Sequence, residues 1–161
     1  MAKQSAGIVL YRRVNNLFQI FLVHPGGPFF SNKDDGVWSI PKGEFVDGEE
    51  ALAAAKREFE EETGQRIEGE FIELGSVTQK SGKKVFAWAL EGDIDAETIF
   101  SNTFEMEWPP RSGKKQTFPE IDKAAWFDVD TAKVKINEAQ VELIDRLIQS
   151  ITKTTSPKFR F

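Results

Sequence analysis

Residues 43–65 read GEFVDGEEALAAAKREFEEETGQ, and the second half of this stretch decides what must surround it. Ala, Leu, Glu, Lys and Arg dominate residues 49–63, and all are good helix formers. Leu52, Ala55, Phe59 and Thr63 recur at the spacing of one helical face. The pattern predicts a helix over residues 49–63 with its apolar face toward a core and a stop at Gly64. Inside it, REFEEE puts five charges into six positions, with Phe59 the one apolar residue.

On a helix, Glu58, Glu61 and Glu62 stand at i, i+3 and i+4, so their carboxylates share a face. Like charges at that spacing repel by about 0.2–0.5 kcal/mol per pair. Two readings compete: a solvated acidic face, or acids gathered around a cation. Three oxygen donors within one turn suit Mg2+ or Mn2+, and magnesium keeps several waters and is completed by substrate phosphates. Glu60 points elsewhere, toward solvent. Glu49 and Arg57, eight residues apart, share roughly one side of the helix. A planar guanidinium there can hold a carboxylate bidentately, which lysine cannot. Gly43 and Gly48 precede the helix and let the backbone turn sharply and approach a ligand closely.

Working outward, residues 5–14 and 17–24 read as strands, and Asn15 and Asn16 between them signal a hairpin turn. Residues 25–36, PGGPFFSNKDDG, read as a loop, followed by a short strand VWSIP at 37–41. After the helix, residues 67–79 and 83–91 are expected as strands joined at KSGK. Residues 97–108 are expected as a further strand, WPPRSGKKQTFPE (108–120) as a loop, and AAWFDV (124–129) as a short strand. Ile136, Val141, Ile144, Leu147, Ile148 and Ile151 lie at helical spacing and predict a packing helix over 136–152. Residues 153–161 read as a loose tail. Strands, helix, strands, helix give an α/β or α+β fold, a mixed sheet sandwiched between helices. The 161 residues suit one domain, over residues 1–152.

Composition narrows the function classes. Forty per cent of residues are hydrophobic and fourteen are Phe, as in a globular chain. With no cysteine, disulfides, thiolate metal sites and cysteine nucleophiles are excluded. A net charge of −5 argues against a DNA partner. No run approaches a membrane span of about 18 apolar residues. MAKQSAGIVLYRR has no long apolar leader, so the expected location is cytoplasmic.

Gly43, five residues, Glu49, seven residues, then Arg57-Glu58-Phe59-Glu60-Glu61-Glu62-Thr63-Gly64 resembles the Nudix box, Gly-x5-Glu-x7-Arg-Glu-U-x-Glu-Glu-x-Gly-U, with U bulky and apolar. Only the last position departs, where Gln65 stands in place of U; Ile67 is the residue closest to hand for that contact. The resemblance implies a metal-dependent hydrolase of nucleoside diphosphates linked to another moiety. It makes Glu58, Glu61 and Glu62 the ligands or base, supported by Glu49 and Arg57, with the Lys42 backbone carbonyl as a further ligand and Mg2+ or Mn2+ as cofactor. The family often completes its site with an acid shortly before a late Trp-bearing strand. Glu120, six residues before Trp126, is that residue here, as ligand or general base; Asp122 and Glu105 are weaker candidates.

WSIPKGE, residues 38–44, is similar to the WxxPKG of diadenosine polyphosphate and diphosphoinositol-type hydrolases. VHPGGPFFSNKDDGVWSIPKGE resembles a group of bacterial nucleoside-triphosphate pyrophosphohydrolases. The expected substrate is therefore a dinucleoside polyphosphate or a nucleoside triphosphate. The Pro of ADP-ribose hydrolases would fall near Lys80 and the Tyr of one dinucleoside-polyphosphate group near Gly82; neither residue is present. For phosphate binding, Lys42, Arg111 and Lys114 are the expected cations, a lysine-rich surface turn being the competing reading of Lys114 and Lys115. His24 is expected either to touch a phosphate or simply to close its strand. A non-catalytic nucleotide-sensing domain is the alternative function, although such domains commonly lose box acids and this chain retains them all.

Overall fold

The computed structural model describes residues 3–155, with side chains through 152. A mixed sheet of β1 (Gln4–Val14), β2 (Leu17–Pro25), β3 (Lys42–Phe45), β4 (Ile72–Thr78), β5 (Lys84–Glu91) and β8 (Ile121–Asp128) runs in the order β4-β5-β1-β2-β8, with β3 paired to β1. The β1–β5 pairing is parallel and the others are antiparallel. β6 (Thr103–Glu107) and β7 (Lys115–Pro119) form a separate two-stranded hairpin. The expected β1–β2 hairpin is present: Val14 pairs with Leu17, and Asn15 and Asn16 have φ of 53° and 66°. Both turn residues are thus left-handed, as a two-residue turn matching strand twist requires, and asparagine tolerates this better than most residues.

The side chains of β1 divide between two cores because successive residues face opposite ways. Ala6, Ile8 and Leu10 pack with Ala54, Ala55 and Phe59 of α1 (Ala51–Thr63). Val9 and Tyr11 pack on the other face with Ala132 of α2 (Val129–Lys135) and Leu143, Ile144, Leu147 and Ile151 of α3 (Val141–Thr155). The sheet is therefore sandwiched between α1 and the α2–α3 pair. Gly64 ends α1 in the left-handed conformation, φ 76°, and its N–H donates to the Glu60 carbonyl at 2.7 Å.

Several boundaries differ from the sequence reading. α1 begins at Ala51 rather than 49. VWSIP forms only isolated bridges, Val23 to Ser39 and Trp38 to Ile136, and the strand proper follows at Lys42. The expected strand 97–108 splits into a 3-10 turn at Ala96–Thr98 and β6. The loop 108–120 contains β7, because its Lys/Gln/Thr/Phe run pairs with β6 across a tip rich in Pro, Gly and Ser. The expected helix 136–152 breaks at Ile136, which caps α2, and restarts after Asn137, whose carboxamide oxygen accepts the Ala139 N–H. α3 then runs three residues into the expected tail, and residues 156–161 lie outside the described residues. No helix among the described residues is long and apolar enough to cross a membrane.

Candidate active site

The packing of α1 sets the site. Ala54 and Ala55 are fully buried, and such small side chains bring the helix close to the sheet. The Glu58 side chain then lies across Gly43 on β3, where any Cβ would run into its carboxylate. Gly43 is therefore required by close approach, a use of glycine that needs no unusual φ.

Arg57 stands at the centre of the exposed side of the cluster. Its Nε and Nη2 donate to the two oxygens of Glu49 at 3.1 and 3.4 Å, and its Nη1 donates to Glu58 at 2.6 Å and Glu61 at 3.1 Å. Glu62 turns the other way. Its Oε1 accepts the Lys42 N–H at 3.3 Å, and it lines a cavity of about 310 Å³ together with Lys42, Glu120, Phe30, Gln79, Asn137 and Gln140. A second cavity of about 930 Å³ shares Gly36, Gln79 and Asn137 with the first and continues past Thr78, Lys80, Ser81 and Glu138. The two form one groove leading away from the acids.

Glu58 and Glu61 share Arg57 and Glu62 turns to the β3 backbone, yet Glu58, Glu62 and Glu120 lie close enough for their charges to repel. Among the described residues no three acidic or histidine side chains form a ready-made metal-holding group. The reason is electrostatic: the neighbouring guanidinium draws Glu58 and Glu61 to itself, while Glu62 goes to the backbone of β3. The donor set still fits a hard cation, because every side-chain donor is an oxygen and the acids lack sufficient positive charge around them. Burial, followed by repulsion from Glu61, raises the Glu58 carboxyl above its ordinary value. Burial pushes the Glu62 carboxyl up to about 8 despite Lys42 nearby. Burial, and then repulsion from Lys83, lowers the Lys42 ammonium.

Glu120 reaches this cluster through backbone links. Asn102 N–H donates to the Glu61 carbonyl at 2.9 Å, Glu120 N–H donates to the Asn102 carbonyl at 2.8 Å, and Gly26 N–H donates to the Glu120 carbonyl at 2.8 Å. The end of α1, the start of β8 and the end of β2 are thereby tied together. Asp122 is turned away to His24, and Glu105 is an exposed residue of β6.

A family model described as NUDIX domain matches residues 1–147. The chain belongs to the Nudix family. It is 34% identical over 115 residues to the bis(5'-nucleosyl)-tetraphosphatase [asymmetrical] of Rattus norvegicus, covering 63% of this chain and 74% of that protein. Its fold is similar to that of a C. elegans Ap4A hydrolase in a binary complex, with a TM-score of 0.63, 20% identity and coverage of 94% of this chain and 99% of that one. It is equally similar in fold to the NUDIX domain of Shewanella oneidensis NrtR complexed with ADP ribose, with a TM-score of 0.63, 14% identity and coverage of 94% and 89%. Family and curated relative together make this Nudix chain a pyrophosphohydrolase.

Lys42 lines the smaller cavity. Arg111 and Lys114 do not: both are exposed at the hairpin tip, where Arg111 has φ 61°. β7 intervenes between them and Glu120, and five residues of strand span roughly 17 Å. His24 is fully buried, with Nδ1 2.8 Å from Asp122 Oδ1 and Nε2 2.7 Å from the Lys33 carbonyl. Both nitrogens are committed inside the protein, which corrects the expectation that one faces a phosphate. Phe29 and Trp108 pack edge-to-face on each other at 5.6 Å. Trp38 of the WxxPKG stretch is core: it is 4% exposed, and its indole N–H donates to Asp34. Gln79, Asn137 and Gln140 line the groove without having been anticipated. Gln140 accepts the Ile40 N–H from 100 residues away, a separation that leaves no local trace in the chain.

Proposed function

We propose that this enzyme uses a divalent cation to hydrolyse a pyrophosphate bond in a dinucleoside polyphosphate. The observation that carries the reading is the placement of Glu62, Glu120 and Lys42 on the wall of one cavity at the mouth of a longer groove, with Glu58 and Glu61 on the same helix. Glu58, Glu61, Glu62, Glu120 and the Lys42 carbonyl would hold the ion. A divalent cation supplies neutralisation of phosphate charge and a more acidic water.

The chain's own groups do the rest. Lys42 offers its ammonium to a phosphate inside the cavity. Arg57 holds Glu58 and Glu61 beside each other through charge-assisted hydrogen bonds, with Glu49 as its anchor. Glu120, held from both sides of its backbone, is placed to take the proton of an attacking water or to complete the ligand set. The groove beyond Gln79 and Asn137 has room for a second moiety on a long polyphosphate. The rat relative's name and the WSIPKGE stretch support the same substrate class.

Incubation with diadenosine tetraphosphate, nucleoside triphosphates and ADP-ribose, with Mg2+ or Mn2+ and chromatographic separation of products, tests this. Asymmetric cleavage of the tetraphosphate to ATP and AMP is expected to be the fastest reaction. Preferential release of pyrophosphate from a triphosphate would move the assignment to that substrate, and no cleavage of any of them would overturn it.

A further inference from the structure

We infer that His24 is a positioning residue that clamps two parts of the site at once: the Glu120 segment through Asp122, and the 26–36 loop through the Lys33 carbonyl. The inference rests on the reading of Glu120 as an acid of the active site. The imidazole is fully buried at the end of β2 and packs edge-to-face on Trp38 at 5.2 Å. Its Nδ1 lies 2.8 Å from Asp122 Oδ1 and its Nε2 lies 2.7 Å from the Lys33 carbonyl.

The Asp122 side acts on Glu120 because only Ile121 separates them. Gly26, two residues beyond His24, grips the same segment from its backbone. Its N–H donates to the Glu120 carbonyl, and its Cα lies so close to the Pro119 carbonyl that a Cβ would collide with it. Side chain and main chain of His24–Gly26 thus fix Glu120 at two points. The Lys33 side acts on the loop. Phe30, Gly36 and Val37 line the 310 Å³ cavity, and the loop's far end is held again where Asp34 accepts from Trp38 and pairs with Lys135. A side chain that orients a site acid in this way acts as an outer-shell partner, and losing such a partner costs about 10- to 100-fold.

The two arms can be cut separately. In His24→Asn the amide nitrogen overlays Nδ1, which keeps the Asp122 bond and releases the loop. In His24→Gln it overlays Nε2, which keeps Lys33 and releases Asp122. Asp122→Ala releases the same arm from the partly exposed side, without disturbing the buried ring. His24→Gln and Asp122→Ala are expected to lower kcat by about 10- to 100-fold with KM little changed. His24→Asn is expected to raise KM several-fold with kcat little changed. Hydrogen exchange without metal or nucleotide should quicken over residues 119–123 in the first two variants and over residues 27–36 in the third. Glu120→Gln separates the two layers: if it is fully active, the assignment of Glu120 fails. If it is inactive while the His24 and Asp122 variants match the parent protein, or change kcat, KM and exchange in parallel, the clamp is wrong.

Discussion

α1 and α3 lie on opposite faces of one sheet and use their surfaces differently. α3 buries Leu143, Ile144, Leu147 and Ile151, a broad aliphatic face. α1 buries Ala54, Ala55, Phe59 and Thr63, of which only Phe59 is large. The other side of α1 carries carboxylates that repel one another, are partly desolvated, and share a single guanidinium. α3 contributes apolar burial. α1 gives up part of that contribution so that small residues can bring its acids against β3. The difference teaches that the helix holding the chemistry is stabilised largely by what surrounds it.

The strongest way to break this comparison is Glu58→Gln. Turnover should fall by about 100- to 1000-fold, the usual size of losing one preorganised electrostatic group. Thermal melting should stay cooperative with its midpoint unchanged or raised, because a repelling charge is gone. A large loss of stability would show that the acids hold the helix rather than serve the reaction. Leu147→Ala on α3 should do the reverse: a loss of about 2–5 kcal/mol in denaturant unfolding, with kcat per folded molecule preserved.

Gly43→Ala sharpens the claim about close approach. The added methyl meets the far end of the Glu58 side chain rather than backbone, so the side chain swings aside at little cost to stability. Activity should fall by up to about 100-fold, as for a small misplacement of a reacting group. Wild-type turnover in this variant would remove the argument for glycine there.

A further test is a pH dependence. The Glu62 carboxyl is raised in the fold from 4.5 to about 8, mainly by burial. The folded protein therefore binds that proton more tightly than the unfolded chain does. The resulting stability is complete below the unfolded value and is lost as pH rises through about 8. The melting temperature of metal-free protein should decline across that window, and Glu62→Gln should flatten the decline. Added Mg2+ should restore most at the alkaline end, where it does not compete with the proton. A metal-free protein whose stability rises over the same range would contradict the burial of Glu62.

The residues themselves determined the α1 helix, its Gly64 stop, the Asn15–Asn16 turn, the β1 strand and the Nudix box up to its last position. Each of these rests on periods or spacings within a few turns of chain. Tertiary structure decided the rest. It split the acids between Arg57 and the β3 backbone, folded 103–119 into a hairpin that carries Arg111 and Lys114 to its tip, turned His24 inward, and brought Gln79, Asn137 and Gln140 to the groove. Those outcomes depend on contacts between residues up to about a hundred positions apart and on which charge wins a shared partner. Local periodicity encodes neither, because it records which face a side chain occupies and not what the folded chain places opposite it.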